Sequence, residues 1–292
     1  MSVDLLQEKI RKKKNPSVVD MTASADRIPP CLLESNESFL QAYRAYCGEL
    51  LESLKDIVPA VRFRFANFTL YGAEGLSVLR DLLRQASDIG YYVFLDCVQI
   101  LSPQMAQDAA DLLLGGNSEW QFNGLIVPTY IGSDGLKPFA KKMAGTRKSV
   151  YGVVRTGNKS AAELQDLLTG NRLCHTAAAD LVNRLGEQMP GACGYHLIGA
   201  MAGASSADGI KTLRSKYSRL FLLLDGYDYP NANAKNCSFA FDQFGHGAAA
   251  CAGDSVMAAW LYAASDGADY VKCAIEAAER MRKNLCKYIT IL

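Results

Sequence analysis

The feature that most limits the fold is an alternation of eight short, largely apolar runs with amphipathic stretches. The runs are residues 18–20, 61–65, 91–96, 124–127, 150–155, 196–200, 220–224 and 248–251. Strands that are apolar on both faces are covered on both, which is the condition of a parallel sheet flanked by helices. Between the runs, residues 74–89 place Leu76, Leu79, Leu82, Leu83 and Ala86 on one stripe, and Gly90 follows as a stop. Ser160 and Glu163 stand in capping-box spacing ahead of Leu164, Leu167 and Leu168, so residues 160–169 predict a helix. Residues 172–186 and 206–217 predict two more. A segment at 34–56 predicts an extra helix between the first two strands, and 268–288 a closing C-terminal helix. Eight strand-then-helix units favour a (β/α)8 TIM barrel, in the α/β class, over a doubly wound sheet. With no linker, repeat or low-complexity stretch, residues 1–292 predict a single domain.

Composition narrows the function classes. The 31 basic and 30 acidic side chains leave a formal charge of +1, no electrostatic case for nucleic acid or an anionic membrane. The basic run Arg11 to Lys14 predicts the solvated face of an N-terminal helix. No stretch of about 18 apolar residues occurs, and the N-terminus lacks the pattern of a secretory signal. The nine cysteines are scattered, and Cys97, Cys193 and Cys251 fall in apolar, strand-like surroundings. These predict reduced thiols in a cytoplasmic protein rather than disulfides or a zinc site. The three histidines are far apart in sequence, which predicts structural roles.

A barrel binds ligands at the C-terminal ends of its strands. The polar residues there are Asp20, Arg62, Arg64, Asp96, Arg155, Asp225, Asp228 and Asp254. Two outcomes are open: arginine–aspartate pairs closing the mouth, or an acidic cup for a divalent metal, an amine or a sugar.

The segment from Val153 to Leu167 (Val-Val-Arg-Thr-Gly-Asn-Lys-Ser-Ala-Ala-Glu-Leu-Gln-Asp-Leu) resembles the fifth-strand signature of the longer bacterial orotidine-5'-phosphate decarboxylases, roughly V-x-R-T-S-N-P-S-A-x-x-L-Q. Tyr71 to Gly75, Tyr130 to Asp134 with Leu136 to Phe139, Lys9 to Val19, and Ile198 to Arg214 are similar in the right order. The resemblance spans about residues 5 to 260 and implies a cofactor-free homodimeric barrel that converts orotidine monophosphate to uridine monophosphate. It also implies a lysine on strand two and an Asp-x-Lys-x-x-Asp segment after strand three, whose second aspartate enters the partner's site.

This chain departs from that pattern. The strand-two lysine position reads Arg62, and the strand-three segment keeps Asp96 but carries Val98 for the proton-donating lysine and Leu101 for the second aspartate. Valine donates no proton, and arginine is a poor acid. The ribose-contacting Gly-Leu-Asp-Pro reads Asp20 to Ala23, and the expected threonine aligns near Met105. The glycine-rich phosphate loop reads Asp225 to Ala232, and the phosphate arginine aligns with Asp254, which reverses the charge. No residue is therefore assigned to catalysis and none to a metal. The candidate ligand-binding positions are Asp20, Thr22, Arg62, Asp96, Arg155, Thr156, Asn158, Asp225, Asp228 and Asp254. Three functions remain: a silent relative kept for binding or assembly, an enzyme of changed specificity on the acidic mouth, or decarboxylation through another lysine such as Lys137 or Lys159. In the former cross-subunit segment, apolar Val98, Ile100, Leu101 and Met105 suit either a dry dimer interface or packing inside the monomer.

Overall fold

The computed structural model describes residues 2–116, 118–143 and 145–292. Eight parallel strands close into a barrel: β1 (Ser17–Asp20), β2 (Ala60–Arg64), β3 (Tyr92–Asp96), β4 (Gly124–Pro128), β5 (Ser149–Arg155), β6 (Ile198–Gly203), β7 (Leu222–Asp225) and β8 (Ala248–Ala252). Each pairs with its sequence neighbours, and β8 closes onto β1 through Ser17 opposite Ala250. All eight predicted runs are strands, with ends that shift by one to three residues.

Period-two alternation puts Tyr92, Phe94 and Asp96 on one face of β3. The rings of Tyr92, Phe94, Tyr151 and Phe221 follow one another at 4.8, 5.1 and 6.1 Å between centroids. This aromatic column needs room on the neighbouring strands. A Cβ on Gly124 would lie 2.8 Å from the Phe94 ring, and one on Gly199 2.8 Å from the Tyr151 ring. Helix Ser2–Lys13 seals the base of the barrel. It buries Val3, Leu6 and Ile10, and Ser2 Oγ lies 2.8 Å from the Tyr92 hydroxyl. Arg11 and Lys12 of its basic run are exposed, as the sequence implied.

The long amphipathic stretch becomes helix Gly72–Ile89, ended by Gly90 at φ 102°. The extra segment between β1 and β2 is two helices, Pro30–Ser35 and Phe39–Leu54, and the closing helix is Tyr270–Cys286. One prediction fails. Residues 160–169 are not a helix but a short 3-10 turn, Lys159–Glu163, running into a hairpin of Leu168–Thr169 and Arg172–Leu173. Side chains there bind back to β5 instead of continuing a turn: the Gln165 amide oxygen accepts the Thr156 N–H at 2.7 Å, and Asp166 takes the Arg155 guanidinium. Gly170, at φ 68°, turns the hairpin.

Among the described residues all nine cysteines are free thiols, and Cys193 sits half-buried in a turn rather than in a strand. No helix among them is long and apolar enough to cross a membrane.

Candidate functional site

Arg62 is the centre of the barrel mouth. Strand alternation turns it inward above the aromatic column, where its side chain is 2% exposed. Its guanidinium meets three carboxylates from three other strands: Asp96 at 3.0 Å, Asp20 at 3.6 Å, and Asp225. Arg64, two residues on and half-exposed, pairs with Asp20 at 2.6 Å. Burial would lower the Arg62 pKa, but the carboxylates of Asp225, Asp20 and Asp96 outweigh it and hold the guanidinium well above its ordinary range. Burial likewise pushes the Asp20 carboxyl up, yet two facing arginines bring it below the ordinary value. At Asp96 burial dominates, only partly offset by Arg62 and Arg64, and its pKa rises. The carboxylate oxygens are also taken from the backbone side: Asp20 accepts the Thr22 N–H at 3.1 Å and Asp96 the Val98 N–H at 3.2 Å.

A second group lies beyond β8 and β1. Asp254 pairs with Arg27 at 3.1 Å, and Asp228 accepts the Gly253 N–H at 2.5 Å. Thr22 faces the same space, and its hydroxyl has no partner among the described residues. A third group pins the loop after β5. Arg155 binds both oxygens of Asp166, at 2.9 and 2.8 Å, and the buried His175 Nδ1 lies 3.0 Å from the Gln165 carbonyl and 3.2 Å from Asp166.

Two cavities open at this mouth. One, of about 440 Å³, lies over β8 and β1 and is lined by Asp20, Thr22, Arg27, Asp228, Asp254 and Tyr262 among others. The other, of about 470 Å³, lies over β3 to β6, with Arg62, Asp96, Val98, Leu101, Thr156 and Asn158 in its wall. Arg64, Asn67, Asp225 and Tyr229 border both and so mark the divide.

The structure thus gathers nine of the ten candidate positions around the two cavities and leaves Arg155 outside their lining, engaged with Asp166. Of the aspartates of the acidic cup, Asp20, Asp225, Asp228 and Asp254 line the cavity over β8 and β1 together with Arg27 and Arg64, while Asp96 lies in the other cavity against Arg62. Among the described residues no group of three or more histidine, cysteine or acidic side chains is placed to hold a metal ion. Lys137 is 62% exposed and paired with Asp134, and Lys159 is exposed; neither lines a mouth cavity. In the former cross-subunit segment, Ile100 packs inside, whereas Val98, Leu101 and Met105 are 40%, 68% and 47% exposed. Sequence reading missed Arg27, Asn67, Met201 and Tyr229 as lining residues, since none ends a strand with a charge. Gln165 and Asp166 were within reach, because they close the fifth-strand signature.

Barrel, closed base and polar mouth define the class: a (β/α)8 protein with its candidate ligand site at the C-terminal strand ends. No family model matches the chain. The chain is 27% identical over 240 residues to an orotidine 5'-phosphate decarboxylase of Petrotoga mobilis, covering 82% of each, and 25% identical over 289 residues to that of Clostridium kluyveri, covering 98% of each. The solved orotidine 5'-monophosphate decarboxylase of Plasmodium berghei superposes with a TM-score of 0.76 at 13% identity, covering 98% of both chains. The Leishmania donovani OMP decarboxylase does so with 0.70 at 22%, over 97% of this chain and 98% of its own. Over most of its length the chain is thus similar in sequence to proteins named orotidine 5'-phosphate decarboxylase, and it shares the barrel fold of the solved ones.

Proposed function

We propose that this barrel does not decarboxylate orotidine 5'-phosphate, and that its mouth is the small-molecule binding site of a cytoplasmic homodimer. One observation carries the reading: among the described residues no lysine lines either mouth cavity, and the central cation is an arginine held by three carboxylates. A decarboxylation that leaves a carbanion needs an acid that gives up its proton at the reacting carbon. Arg62 is held in its charged form, and Val98 has no proton to give. Phosphate is disfavoured as well, because Asp228 and Asp254 stand on the side of the mouth formed by the loops after β7 and β8.

The rim supports self-association: Leu70, Leu101 and Leu168, on loops after β2, β3 and β5, are 80%, 68% and 74% exposed. A second reading, retained decarboxylation, is favoured by relatives over the whole chain that bear that name. Release of labelled carbon dioxide from carboxyl-labelled orotidine 5'-phosphate separates the two. We expect no release above the protein-free background; turnover that scales with protein concentration would sink the proposal.

A further inference from the structure

The mouth's charged groups pair mainly with one another, although the buried Arg62 Nε has no hydrogen-bond partner among the described residues, and that pairing bears on what the mouth can admit. In the cavity over β3 to β6, both cations are engaged: Arg62 by Asp20, Asp96 and Asp225, and Arg64 by Asp20. The three carboxylates are 3%, 5% and 14% exposed on their side chains and already accept these arginines, so they offer little to a ligand's charge. An anion at the buried Arg62 would have to draw it from its carboxylates, and a cation at Asp96 would have to draw that carboxylate from Arg62; either leaves a buried charge unpaired.

What the cavity does present is uncharged. Val98, Leu101, Pro128 and Met201 form apolar wall. Two phenol rings are fixed on opposite sides. Tyr130 is held by its hydroxyl donating to the Val154 carbonyl at 2.6 Å, and Tyr229 lies against Gly157 and Gly226, where an added Cβ would come within 2.7 and 2.5 Å of the ring. The side-chain amides of Asn67 and Asn158 line the cavity and take no hydrogen-bond partner among the described residues, so each offers a free donor and a free acceptor. A volume of about 470 Å³ matches a ligand of one or two rings.

Resting on the reading that the mouth binds without decarboxylating, we propose that this cavity binds an uncharged, ring-shaped polar molecule, carrying amide or hydroxyl groups and no phosphate. Its rings lie against Tyr130 and Tyr229, and its polar edge meets Asn67 and Asn158.

Saturation-transfer NMR on the full chain tests this with a fragment set divided among uncharged heteroaromatic amides, uncharged pyranosides, and phosphate or carboxylate anions, orotidine 5'-phosphate included. We expect binders among the uncharged rings, which of the two uncharged groups responds naming the ligand chemistry. Val98→Trp should fill the cavity and weaken those binders at least ten-fold. Leu101→Trp, at the more exposed wall position, repeats the test should the first variant fold poorly. Binders drawn mainly from the anions, binders indifferent to both tryptophans, or no binders at all each overturn the proposal. Failure here without turnover of orotidine 5'-phosphate leaves the silent-barrel reading standing, whereas turnover removes that reading itself.

Discussion

Replacing Arg62 by methionine isolates the interaction that organises the mouth. The substitution keeps most of the side-chain volume but strands Asp96 and Asp225 without their cation and leaves Asp20 with Arg64 alone. At the 3.0 Å separation from Asp96, an effective dielectric near 20 gives an attraction of roughly 5 kcal/mol. Desolvation of the pair offsets much of that in the intact cluster, but removing one partner leaves the desolvation cost and takes away the attraction. Losses of about 3–5 kcal/mol are typical of such broken buried pairs, a large part of the roughly 5–15 kcal/mol that holds a domain together.

The pH dependence has a definite sign. Without Arg62, burial and mutual repulsion raise the carboxylate pKa values in the folded state above those of the unfolded chain. The folded variant then binds protons more tightly, so its stability falls as pH rises from the unfolded carboxylate range and recovers on acidification. Urea unfolding followed by circular dichroism at pH 7 and pH 5 reads both effects. Arg62→Met should lose about 3–5 kcal/mol at pH 7 and less at pH 5, and adding Asp96→Asn should return part of the loss. A variant within about 1 kcal/mol of the parent at pH 7, or a deficit that does not change with pH, would refute the buried-cluster account.

Two further outcomes follow from exposure. Iodoacetamide at pH 8 should label exposed Cys31 first and Cys286 more slowly, because burial raises the Cys286 thiol. Cys193, pushed up to about 11 mainly by burial, should lag, and Cys47, Cys97, Cys237 and Cys251 should react only in denaturant; rapid native labelling of Cys251 by mass spectrometry would contradict the closed mouth floor. In sedimentation velocity the parent should run as a dimer and a Leu101→Asp, Met105→Glu variant as a monomer; a monomeric parent removes the proposed homodimer.

The barrel was legible because its signal is local: each strand is a run of four to seven residues whose apolar faces appear in the sequence itself. The misread stretch at 160–169 shows the limit. Its leucine spacing and capping residues are helical, but Leu164, Leu167 and Leu168 end up 60%, 53% and 74% exposed, so no burial rewarded the helix. The contacts that decide its path, Thr156 to Gln165 and Arg155 to Asp166, are made by the Gln165 and Asp166 side chains and leave no periodic trace. The mouth was legible as a set of residues but not as an arrangement. Asp20 and Asp225 lie 42 and 163 positions from Arg62, and nothing in the chain shows that they converge on one guanidinium rather than on an open cup. Ile100 and Leu101 are adjacent and equally apolar, yet one is buried and the other exposed, a difference set only by how the loop after β3 turns.

The aromatic column beneath Arg62 has a kinetic consequence. With the Tyr92, Phe94, Tyr151 and Phe221 rings filling the barrel and the helix at 2–13 across its base, the molecule is a cup and not a tube. Whatever enters must leave through the same opening, past the loops that carry Leu101, Tyr130 and Tyr229. Arrival and departure therefore share one doorway, and changes at that rim will alter how fast a guest exchanges even where they leave its resting contacts untouched.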